Sequence, residues 1–382
     1  MYFVHPQIKL SKILKAKLSL IKPLNQEKLI ERLSAYFPDK QFVFTDMGRS
    51  AFKVIVEKLN LQNSEIIFPA YICDIFYSIF KQYNIKPIFL DIDLRTFHIK
   101  TDKIAEKITP QTKAILVCHT YGLPFDVDVL RSDPLLQRRR SDLKIIEDCA
   151  HSFFAKKGDV YTGNLGDISF FSLYKQFPAL RGGMLVCPKD WQAPLPKTSF
   201  NFRDFISFLN YFWPCAIFFK KFGSEIAPKI LRKEKLSEPA GLAGASLNLF
   251  SGFFEDVEKS VGARKALALF FQEELRKIGF EVQKPDDNVF CYLSALAPNN
   301  LMEKRDEIVQ KLKKYGVFCT RIWHAPIILN EDVQREYNLD LSEFPNTIDA
   351  VKRIINFPLQ NHYTEKDIIK IIEAVKKVLC EF

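Results

Sequence analysis

Two side chains in this sequence have the chemistry and the position of a cofactor-binding pair. Asp148 ends the apolar run KIIED, and Lys175 lies 27 residues further on, just after the apolar run DISFFS. A carboxylate at the end of a buried strand is costly unless a partner compensates its charge. An aspartate there can pair with the protonated pyridine nitrogen of pyridoxal phosphate (PLP), whose ring then acts as an electron sink. A helix cap or a surface turn is the alternative interpretation.

Lys175 is one of many lysines in the chain, and its position is what distinguishes it. It follows a run that predicts a strand of the same sheet, and it precedes the turn Gly182–Gly183. An amine beside a cationic ring has its charged form disfavoured. Such an amine can act as a nucleophile and can carry a proton.

The segment TDMGRSAFKVIV predicts an anion site at the start of a helix. The N–H groups and the dipole of a helix N-terminus attract a phosphate. Gly48 permits a close approach of the backbone, Ser50 offers a hydroxyl, and Arg49 offers a positive charge. Ser172 adds a second hydroxyl from the lysine segment. Because many helices begin with such residues, the pattern alone is weak.

The elements that must position these residues alternate between strand and helix from residue 40 to residue 190. Apolar, β-rich runs separated by helices predict an α/β fold with a largely parallel sheet flanked by helices. Ligand sites in such sheets gather at the carboxyl ends of the strands, where the polar residues fall. The last stretch, TEKDIIKIIEAVKKVL, predicts a helix with a Thr start.

The later part of the chain predicts a smaller α+β domain. Residues 255–280 are expected to form one long amphipathic helix, and VFCYLSALAP and GVFCTRIWHAP are expected to form strands. We therefore divide the chain into a large domain, 1–250, and a small domain, 251–382.

Composition excludes several classes of protein. The net charge is +10, but the only tight basic cluster is Arg138–Arg140, so a nucleic-acid role is not expected. The eight cysteines include no C-x-x-C pair, so neither a disulfide framework nor a metal site is predicted. The lysine-rich N-terminus does not have the pattern of a secretion signal, and we expect a cytoplasmic location.

Several segments together resemble the DegT/DnrJ/StrS family of PLP-dependent sugar aminotransferases. The matching pieces are GRSAF, EIIFPAYICDIF, VCHTYGLPFDVD, the run IIEDCAHSFFAKKGDVYTGNLGDISFFSLYK, and a closing FPNTIDAVKRIINFPLQ. The resemblance covers about residues 40–190 and 255–382. It implies fold type I of the PLP-dependent enzymes and a homodimer with shared active sites. It also implies an amino donor, glutamate, and a keto acceptor on a nucleotide-linked sugar, in cell-surface glycan biosynthesis.

The resemblance also assigns roles to residues. Lys175 is expected to form the Schiff base, Asp148 to pair with the pyridine nitrogen, and His151 to contact the phenolic oxygen. Ser50, Ser172, Gly48 and Arg49 are expected to bind the phosphate. Cys73 falls where the family often has the aromatic that stacks on the ring, and Tyr71 is the nearby substitute; simple packing is the alternative for Tyr71. Arg321, His324 and Tyr174 are weaker candidates for substrate binding, and a surface ion pair is the alternative for Arg321.

Residues 201–235 form an apolar, aromatic insertion relative to the family pattern. The uncharged run 205–219 is too short for an ordinary transmembrane helix, which needs about 20 apolar residues. A buried hairpin or a dimer contact is one interpretation, and a contact with the inner membrane interface is the other.

Two rival functions remain at this point. A sugar dehydratase or deoxygenase of the same family would lack Lys175, and a non-catalytic, membrane-associated cofactor-binding protein would not need it.

Overall fold

The structure is a computed structural model that describes residues 2–3, 8, 10–21, 25–138, 143–191, 193–199, 202–209, 211–212 and 238–382. The chain folds into two compact units. Unit 1 comprises Met1–Val4, Leu59–Ser169 and Ser260–Phe382, and unit 2 comprises His5–Lys58 and Phe170–Lys259. The division at residue 250 that the sequence suggested stays a prediction.

The described strands and helices alternate along most of the chain. The strands are β1 (Tyr2–Phe3), β2 (Lys40–Thr45), β3 (Glu65–Pro69), β4 (Lys86–Leu90), β5 (Thr112–Cys118), β6 (Lys144–Asp148), β7 (Lys156–Lys157), β8 (Val160–Tyr161), β9 (Ile168–Ser172), β10 (Gly183–Pro188), β11 (Glu281–Val282), β12 (Leu293–Leu296), β13 (Val317–Phe318) and β14 (Ile354–Phe357). The helices are α1 (Ile13–Ile21), α2 (Gln26–Ser34), α3 (Gly48–Lys58), α4 (Ile75–Tyr83), α5 (Ile104–Lys107), α6 (Asp128–Ser132), α7 (Pro134–Arg138), α8 (Phe202–Leu209), α9 (Gly244–Lys277), α10 (Arg305–Lys314), α11 (Glu331–Tyr337), α12 (Pro345–Arg353) and α13 (Glu365–Leu379).

Unit 1 contains a parallel sheet in the order β6-β5-β3-β4. All five residues of β3 are buried, as expected for a strand covered on both faces. The ring of Phe68 in β3 packs against Phe76 and Phe80 of α4, with centroids 5.5 and 4.8 Å apart. At the carboxyl end of the sheet, Cys118 of β5 lies opposite Asp148 of β6.

The C-terminal part of unit 1 adds an antiparallel sheet in the order β11-β12-β14. Its apolar core joins residues of α9, α10 and α13, including Phe271, Leu312 and Val375. Thr364 begins α13 with a reciprocal capping box to Asp367, which confirms the predicted Thr start.

Two predicted elements have different bounds in the structure. The helix expected over 255–280 begins earlier, at Gly244, and ends at Lys277, before Gly279 adopts a φ of +86°. GVFCTRIWHAP is not one strand, because only Val317–Phe318 pairs in a ladder. Trp323 then adopts a left-handed φ of +59°, which an extended strand cannot accommodate.

Unit 2 contains the antiparallel pair β2 and β10, with Thr45 opposite Gly183. Aromatic rings fill its core: Phe37 packs on Phe171, and Phe52 packs on Phe170, with centroids 5.4 and 5.6 Å apart. Of the aromatic run 205–219, the part up to residue 209 belongs to α8, and 213–219 lie outside the described residues. Within the described residues, no helix is both long and apolar enough to cross a membrane.

Candidate active site

The predicted anion site in unit 2 is a close contact between the start of α3 and the end of β9. Gly48 is the first residue of α3 and is buried. A Cβ atom at position 48 would lie 3.3 Å from both the Phe171 carbonyl oxygen and Ser172 Oγ. The structure therefore brings Gly48 and Ser172 together, as the sequence predicted. Ser50 is buried in the first turn of the same helix, and Arg49 beside it is half-buried.

Gly183, the second glycine of the Gly-Gly turn, supports this contact from β10. A Cβ atom at position 183 would overlap the Met47 carbonyl group and would lie 2.5 Å from Thr45 Oγ1. The Thr45 hydroxyl donates a hydrogen bond of 2.8 Å to the same Met47 carbonyl. Since the Met47 carbonyl also accepts the Ser50 N–H at 3.0 Å, these contacts fix the first turn of α3. Only glycine leaves room for the turn.

Lys175 ends a single 3-10 turn, Leu173–Lys175, that follows Ser172 directly. The Leu173 N–H donates to the Gly182 carbonyl at 2.9 Å, and the Phe177 N–H donates to the Leu173 carbonyl at 3.0 Å. Phe177 is fully buried, with its ring 4.7 Å from that of Phe250. The residues on both sides of the lysine are thus anchored. Lys175 itself and Tyr174 are half-buried.

Asp148 in unit 1 is held through both of its carboxylate oxygens. The Ala150 N–H donates to Oδ1 at 2.9 Å, and the Cys118 thiol donates to Oδ2 at 3.8 Å. The backbone carbonyl of Asp148 accepts the His119 N–H at 3.2 Å. The residue is 7% exposed. This carboxylate therefore has a fixed direction at the end of β6.

His151 lies three residues after Asp148, within a cluster of aromatic rings in unit 1. Its Nδ1 accepts the Tyr121 N–H at 3.2 Å. The Tyr121 ring is nearly parallel to the imidazole, at 13° and 5.8 Å, and the Trp323 and Tyr292 rings each lie 5.1 Å away. The rings leave 2% of His151 exposed.

Tyr121 adopts an unusual backbone conformation, with φ +61° and ψ 6°. The left-handed region costs a residue with a Cβ about 1–2 kcal/mol. Its hydroxyl is 2.9 Å from the Ile322 carbonyl oxygen and 2.8 Å from the Tyr71 hydroxyl. These two hydrogen bonds, of about 1 kcal/mol each, offset the backbone cost. Gly122 is required beside it, since a Cβ there would lie 2.8 Å from the Cys291 nitrogen.

His119 and Glu147 form a separate buried network beneath these residues. His119 Nε2 donates to Glu147 Oε2 at 2.8 Å, because its Nδ1 accepts the Phe125 N–H at 2.9 Å. Glu147 also accepts the N–H groups of Gly163 and Gly166, at 2.8 and 2.6 Å. Cys149 completes a group of three side chains with metal-ligand chemistry. Because both nitrogens of His119 are engaged in hydrogen bonds, the network is an internal anchor.

Tyr71 and Cys73, the two candidates for the ring-stacking position, have different surroundings. Tyr71 is fully buried, packs edge-on to Trp323, and shares its hydroxyl with Tyr121. Burial raises the pKa of Tyr71 well above its usual value. Tyr71 therefore belongs to the same aromatic cluster as His151. Cys73 is half-buried, and its thiol lies 3.7 Å from Asp74 Oδ1.

The weaker substrate candidates of the C-terminal region lie on the turn that follows β13. Arg321 Nη1 forms an ion pair of 2.5 Å with Asp306, which also pairs with Arg305. This contact corresponds to the ion-pair alternative, and the half-buried guanidinium is positioned by it. His324 is exposed, and its Nδ1 is 2.8 Å from the Arg321 carbonyl oxygen.

Sequence reasoning missed the supporting residues of unit 1, namely Tyr121, Tyr292 and Trp323. Gly122 signalled a turn after Tyr121, but nothing in the pattern indicated that the tyrosine itself would be left-handed. Trp323 stood between Arg321 and His324 in a run that was expected to be a strand. Its contact with His151 joins residues 172 positions apart, and no local pattern reports such a distance.

The residues described fit the chemical groups of PLP. In unit 2, the contact between Gly48 and Ser172 leaves only a tight fit for a side-chain carbon at position 48, and a glycine there suits a helix start that approaches a phosphate. In unit 1, Asp148 offers an oriented carboxylate suited to a protonated pyridine nitrogen. His151 offers an imidazole for a phenolic oxygen.

Two long stretches of the chain match a known protein family. The sequence profile of the DegT/DnrJ/EryC1/StrS aminotransferase family matches residues 9–197 and 248–376. The aromatic insertion falls in the unmatched interval between the two.

Two relatives and one solved structure match along most of their length. The dTDP-4-amino-4,6-dideoxy-D-glucose transaminase of Shigella dysenteriae is 24% identical, over 93% of this chain and 90% of its own. GDP-perosamine synthase of Caulobacter vibrioides is 26% identical, over 77% of this chain and 73% of its own. The Streptococcus pneumoniae protein Spr1654, solved in its PLP form, superposes with a TM-score of 0.77 at 18% identity, covering 99% and 98% of the two chains. These matches confirm the predicted fold class.

Proposed function

The chain belongs to the DegT/DnrJ/EryC1/StrS aminotransferase family and is a PLP-dependent aminotransferase, and from that premise we propose that its acceptor is a keto group on a nucleotide-linked sugar. We propose glutamate as the amino donor and cell-surface glycan biosynthesis as the setting. The printed activities of the Shigella and Caulobacter relatives, which concern dTDP- and GDP-linked sugars, support this choice.

One observation carries the proposal. In unit 2, Lys175 stands three residues after Ser172, and Ser172 contacts the first residue of α3. This lysine and the start of α3, our proposed phosphate site, thus belong to one compact unit, and the fit at position 48 is tight for any side-chain carbon. A dehydratase of the same family would lack this lysine. A protein that only binds the cofactor would not need a lysine at this position.

The proposed roles follow from what each side chain can do. When bound, PLP supplies a conjugated ring that accepts the electrons of a carbanion. Lys175 would bind the cofactor covalently and, once its amine is released, would move a proton at its Nζ between the substrate carbon and the cofactor carbon. The N–H groups at the start of α3, with Gly48, Arg49 and Ser50, would bind the phosphate. The Ser172 hydroxyl would add a further hydrogen bond.

Unit 1 would supply the groups that tune the ring. Asp148 would hold a negative charge against the ring nitrogen, with its direction set by the Ala150 N–H and the Cys118 thiol. His151 would donate a hydrogen bond to the phenolic oxygen. Tyr71 and Cys73 stay candidates for contact with the ring.

Substrate recognition belongs to the same proposal. Arg321, which Asp306 orients, would bind a phosphate or carboxylate of the substrate, since a guanidinium suits both anions. His324 and Tyr174 are proposed as further substrate contacts. Arg321→Lys should raise KM for the sugar nucleotide more than it lowers kcat, because an ammonium cannot reproduce the forked hydrogen bonds.

The decisive experiment locates the covalent bond. Purified protein loaded with PLP is reduced with borohydride and digested, and the modified lysine is identified by mass spectrometry. We expect the label on Lys175, a visible Schiff-base absorbance that disappears in Lys175→Ala, and no change in Lys113→Ala, which removes an exposed lysine of β5. A label on another lysine, or an absorbance that survives in Lys175→Ala, would overturn the assignment.

Donor and acceptor are tested separately. Addition of glutamate to the loaded wild-type protein should remove the Schiff-base absorbance with formation of 2-oxoglutarate. A panel of UDP-, dTDP- and GDP-linked keto sugars should then restore it, and only the true acceptor class should do so at low concentration. Restoration by 2-oxo acids alone would exclude the sugar.

A homodimer with shared active sites and a cytoplasmic location complete the proposal. Sedimentation of the purified protein tests the dimer.

Contact of residues 205–219 with the inner membrane interface is the more specific of the two interpretations of the insertion. Flotation with anionic liposomes, comparing wild type with a deletion of 205–219, separates that contact from a buried or dimer-forming segment.

A further inference from the structure

We propose that Tyr121 is the positioning residue of His151, and that it fixes the imidazole in the tautomer that carries its proton on Nε2. The inference rests on the proposed role of His151 as a hydrogen-bond donor to PLP. It assigns to Tyr121 a function that its sequence neighbourhood does not suggest.

The first step is the hydrogen bond at Nδ1. The Tyr121 backbone N–H donates to His151 Nδ1 at 3.2 Å. An imidazole nitrogen that accepts a hydrogen bond cannot also carry a proton, so the proton of the neutral ring lies on Nε2. In the opposite tautomer, two N–H groups would face each other. The backbone of Tyr121 therefore selects the donor at Nε2.

The second step is the orientation of the ring. A half-turn of the imidazole would place a carbon where Nδ1 now accepts, and the Tyr121 N–H would lose its acceptor. The Tyr121 ring stacks on one side of the imidazole, and Trp323 and Tyr292 pack at 5.1 Å. With 2% of His151 exposed, water cannot replace the lost bond without moving these rings.

The third step is the anchor of Tyr121 itself. Three oxygens meet in a buried cluster: the hydroxyls of Tyr121 and Tyr71 and the carbonyl of Ile322. Two hydroxyl protons serve three contacts, so one contact has no proton. The distance to the carbonyl is 2.9 Å from Tyr121 and 3.2 Å from Tyr71, which favours donation from Tyr121 to Ile322 and from Tyr71 to Tyr121. Burial raises the pKa of both hydroxyls, so both keep their protons.

The consequence is a chain of contacts from the turn after β13 to the imidazole. The Ile322 carbonyl accepts a hydrogen bond from the Tyr121 hydroxyl. This bond stabilises the left-handed backbone of Tyr121, whose N–H orients His151. Loss of the hydroxyl removes one of the contacts that stabilise the left-handed conformation, so in part of the molecules the N–H should turn away. A His151 with its proton on Nδ1 would present a lone pair to a phenolic oxygen and would repel it.

The test measures the tautomer without cofactor, in the full-length protein labelled with ¹⁵N-histidine. The His151 signal is assigned by its loss in His151→Gln. We expect wild-type His151 to show an unprotonated Nδ1 and a protonated Nε2. Tyr121→Phe should give a mixture of tautomers, and Tyr71→Phe, which leaves the bond from Tyr121 to Ile322 intact, should give a smaller change. A protonated Nδ1 in wild type would overturn the proposal even if Tyr121→Phe did not fold. An unchanged signal in folded Tyr121→Phe would overturn it as well.

A second measurement links the tautomer to the cofactor. Tyr121→Phe should weaken PLP binding about tenfold, because one hydrogen bond to a charged oxygen is lost. In a His151→Gln background, the amide N–H needs no tautomer, and the same substitution should weaken binding less than about twofold. Equal losses in the two backgrounds would reduce Tyr121 to a general packing role. The location of the borohydride label tests Lys175 independently, so failure of either proposal leaves the other standing.

Discussion

The two units hold their site residues by different means. In unit 2, Gly48 and Gly183 let backbone segments approach so closely that a single added methyl group would meet other atoms. In unit 1, Asp148 and His151 are directed by hydrogen bonds from Cys118, Ala150 and Tyr121. A site built on close backbone contact is sensitive to any increase in side-chain volume at the glycines. A site built on hydrogen bonds is sensitive to donors, acceptors and protonation.

The largest expected effect comes from breaking the anchor of unit 1. Glu147→Gln keeps the shape of the side chain but replaces one acceptor oxygen with an N–H donor, which must face either Gly166 N–H or the donors of His119 and Gly163. We expect the free energy of unfolding to fall by about 3 kcal/mol, because a buried donor is left without an acceptor. Urea unfolding measures this loss. Glu106→Gln at an exposed position is the control, and its free energy of unfolding should stay within about 0.5 kcal/mol of wild type. A loss below about 1 kcal/mol would contradict the anchoring role.

The matching change in unit 2 is Gly183→Ala. The new Cβ would overlap the Met47 carbonyl group, so the start of α3 must shift. We expect a loss of stability of about 2 kcal/mol and weaker PLP binding, since overpacking displaces backbone. Gly262→Ala, at an exposed position of α9, is the control, because its new Cβ would meet no atom within 4 Å. It should raise the free energy of unfolding by up to about 1 kcal/mol. Wild-type affinity for PLP in Gly183→Ala would show that α3 tolerates the shift.

The pH dependence of stability tests the sensitivity of unit 1 to protonation, because unit 1 contains the buried His98. Burial, and then the nearby His119, lower the pKa of His98 to about 3, and its Nε2 donates to the Leu123 carbonyl at 3.0 Å. The folded state binds fewer protons than the unfolded state between pH 6.5 and about 3. The stability from neutral His98 is therefore complete above pH 6.5 and is lost as the pH falls, by up to about 1.4 kcal/mol per pH unit.

His98→Gln keeps an N–H near the Nε2 position and removes the titration. The difference in unfolding free energy between wild type and this variant should shrink by about 1 kcal/mol between pH 6 and pH 5. Groups that titrate in both proteins cancel in the difference. A difference that stays constant over this interval would mean that His98 does not titrate in the way its burial requires.

The smallest effect concerns the weakest donor of unit 1, the Cys118 thiol. Cys118→Ala removes the donor to Asp148 Oδ2, whereas Cys118→Ser restores a hydroxyl donor. We expect PLP to bind about threefold more weakly to the alanine variant, since a thiol is a weak donor, and the serine variant to recover part of the loss. Fluorescence titration with PLP measures both. Equal binding by the two variants would show that the thiol acts only through packing.

The same contrast explains what the sequence could predict. The parts of unit 2 are local patterns: a glycine at a helix start, a serine three residues before a lysine, and a Gly-Gly turn. Each pattern has a physical cause within a few residues, and the structure places Gly48 beside Ser172 as expected. Asp148 was found in the same way, as an acidic residue that ends a buried strand.

The supports of unit 1 could not be predicted in this way. Tyr121 depends on Ile322, and His151 depends on Trp323, across more than 150 positions in each case. The region around 317–324 was expected to be a strand because its apolar residues are dense. The left-handed backbone of Trp323 overrides that propensity, and it is a property of packing that a single sequence does not report.

The composition of unit 1 from distant parts of the chain has a consequence for synthesis on the ribosome. The segment 59–169, which contains Tyr121, emerges early, and Ile322 emerges roughly 150 residues after its end. At about 5–20 residues per second, this interval lasts on the order of 10–30 s. During that time the Tyr121 hydroxyl has no carbonyl from residue 322 to bind. Until then the nascent parallel strands lack this contact, and a premature stop codon before residue 322 should leave Tyr121, and through it His151, without the Ile322 carbonyl.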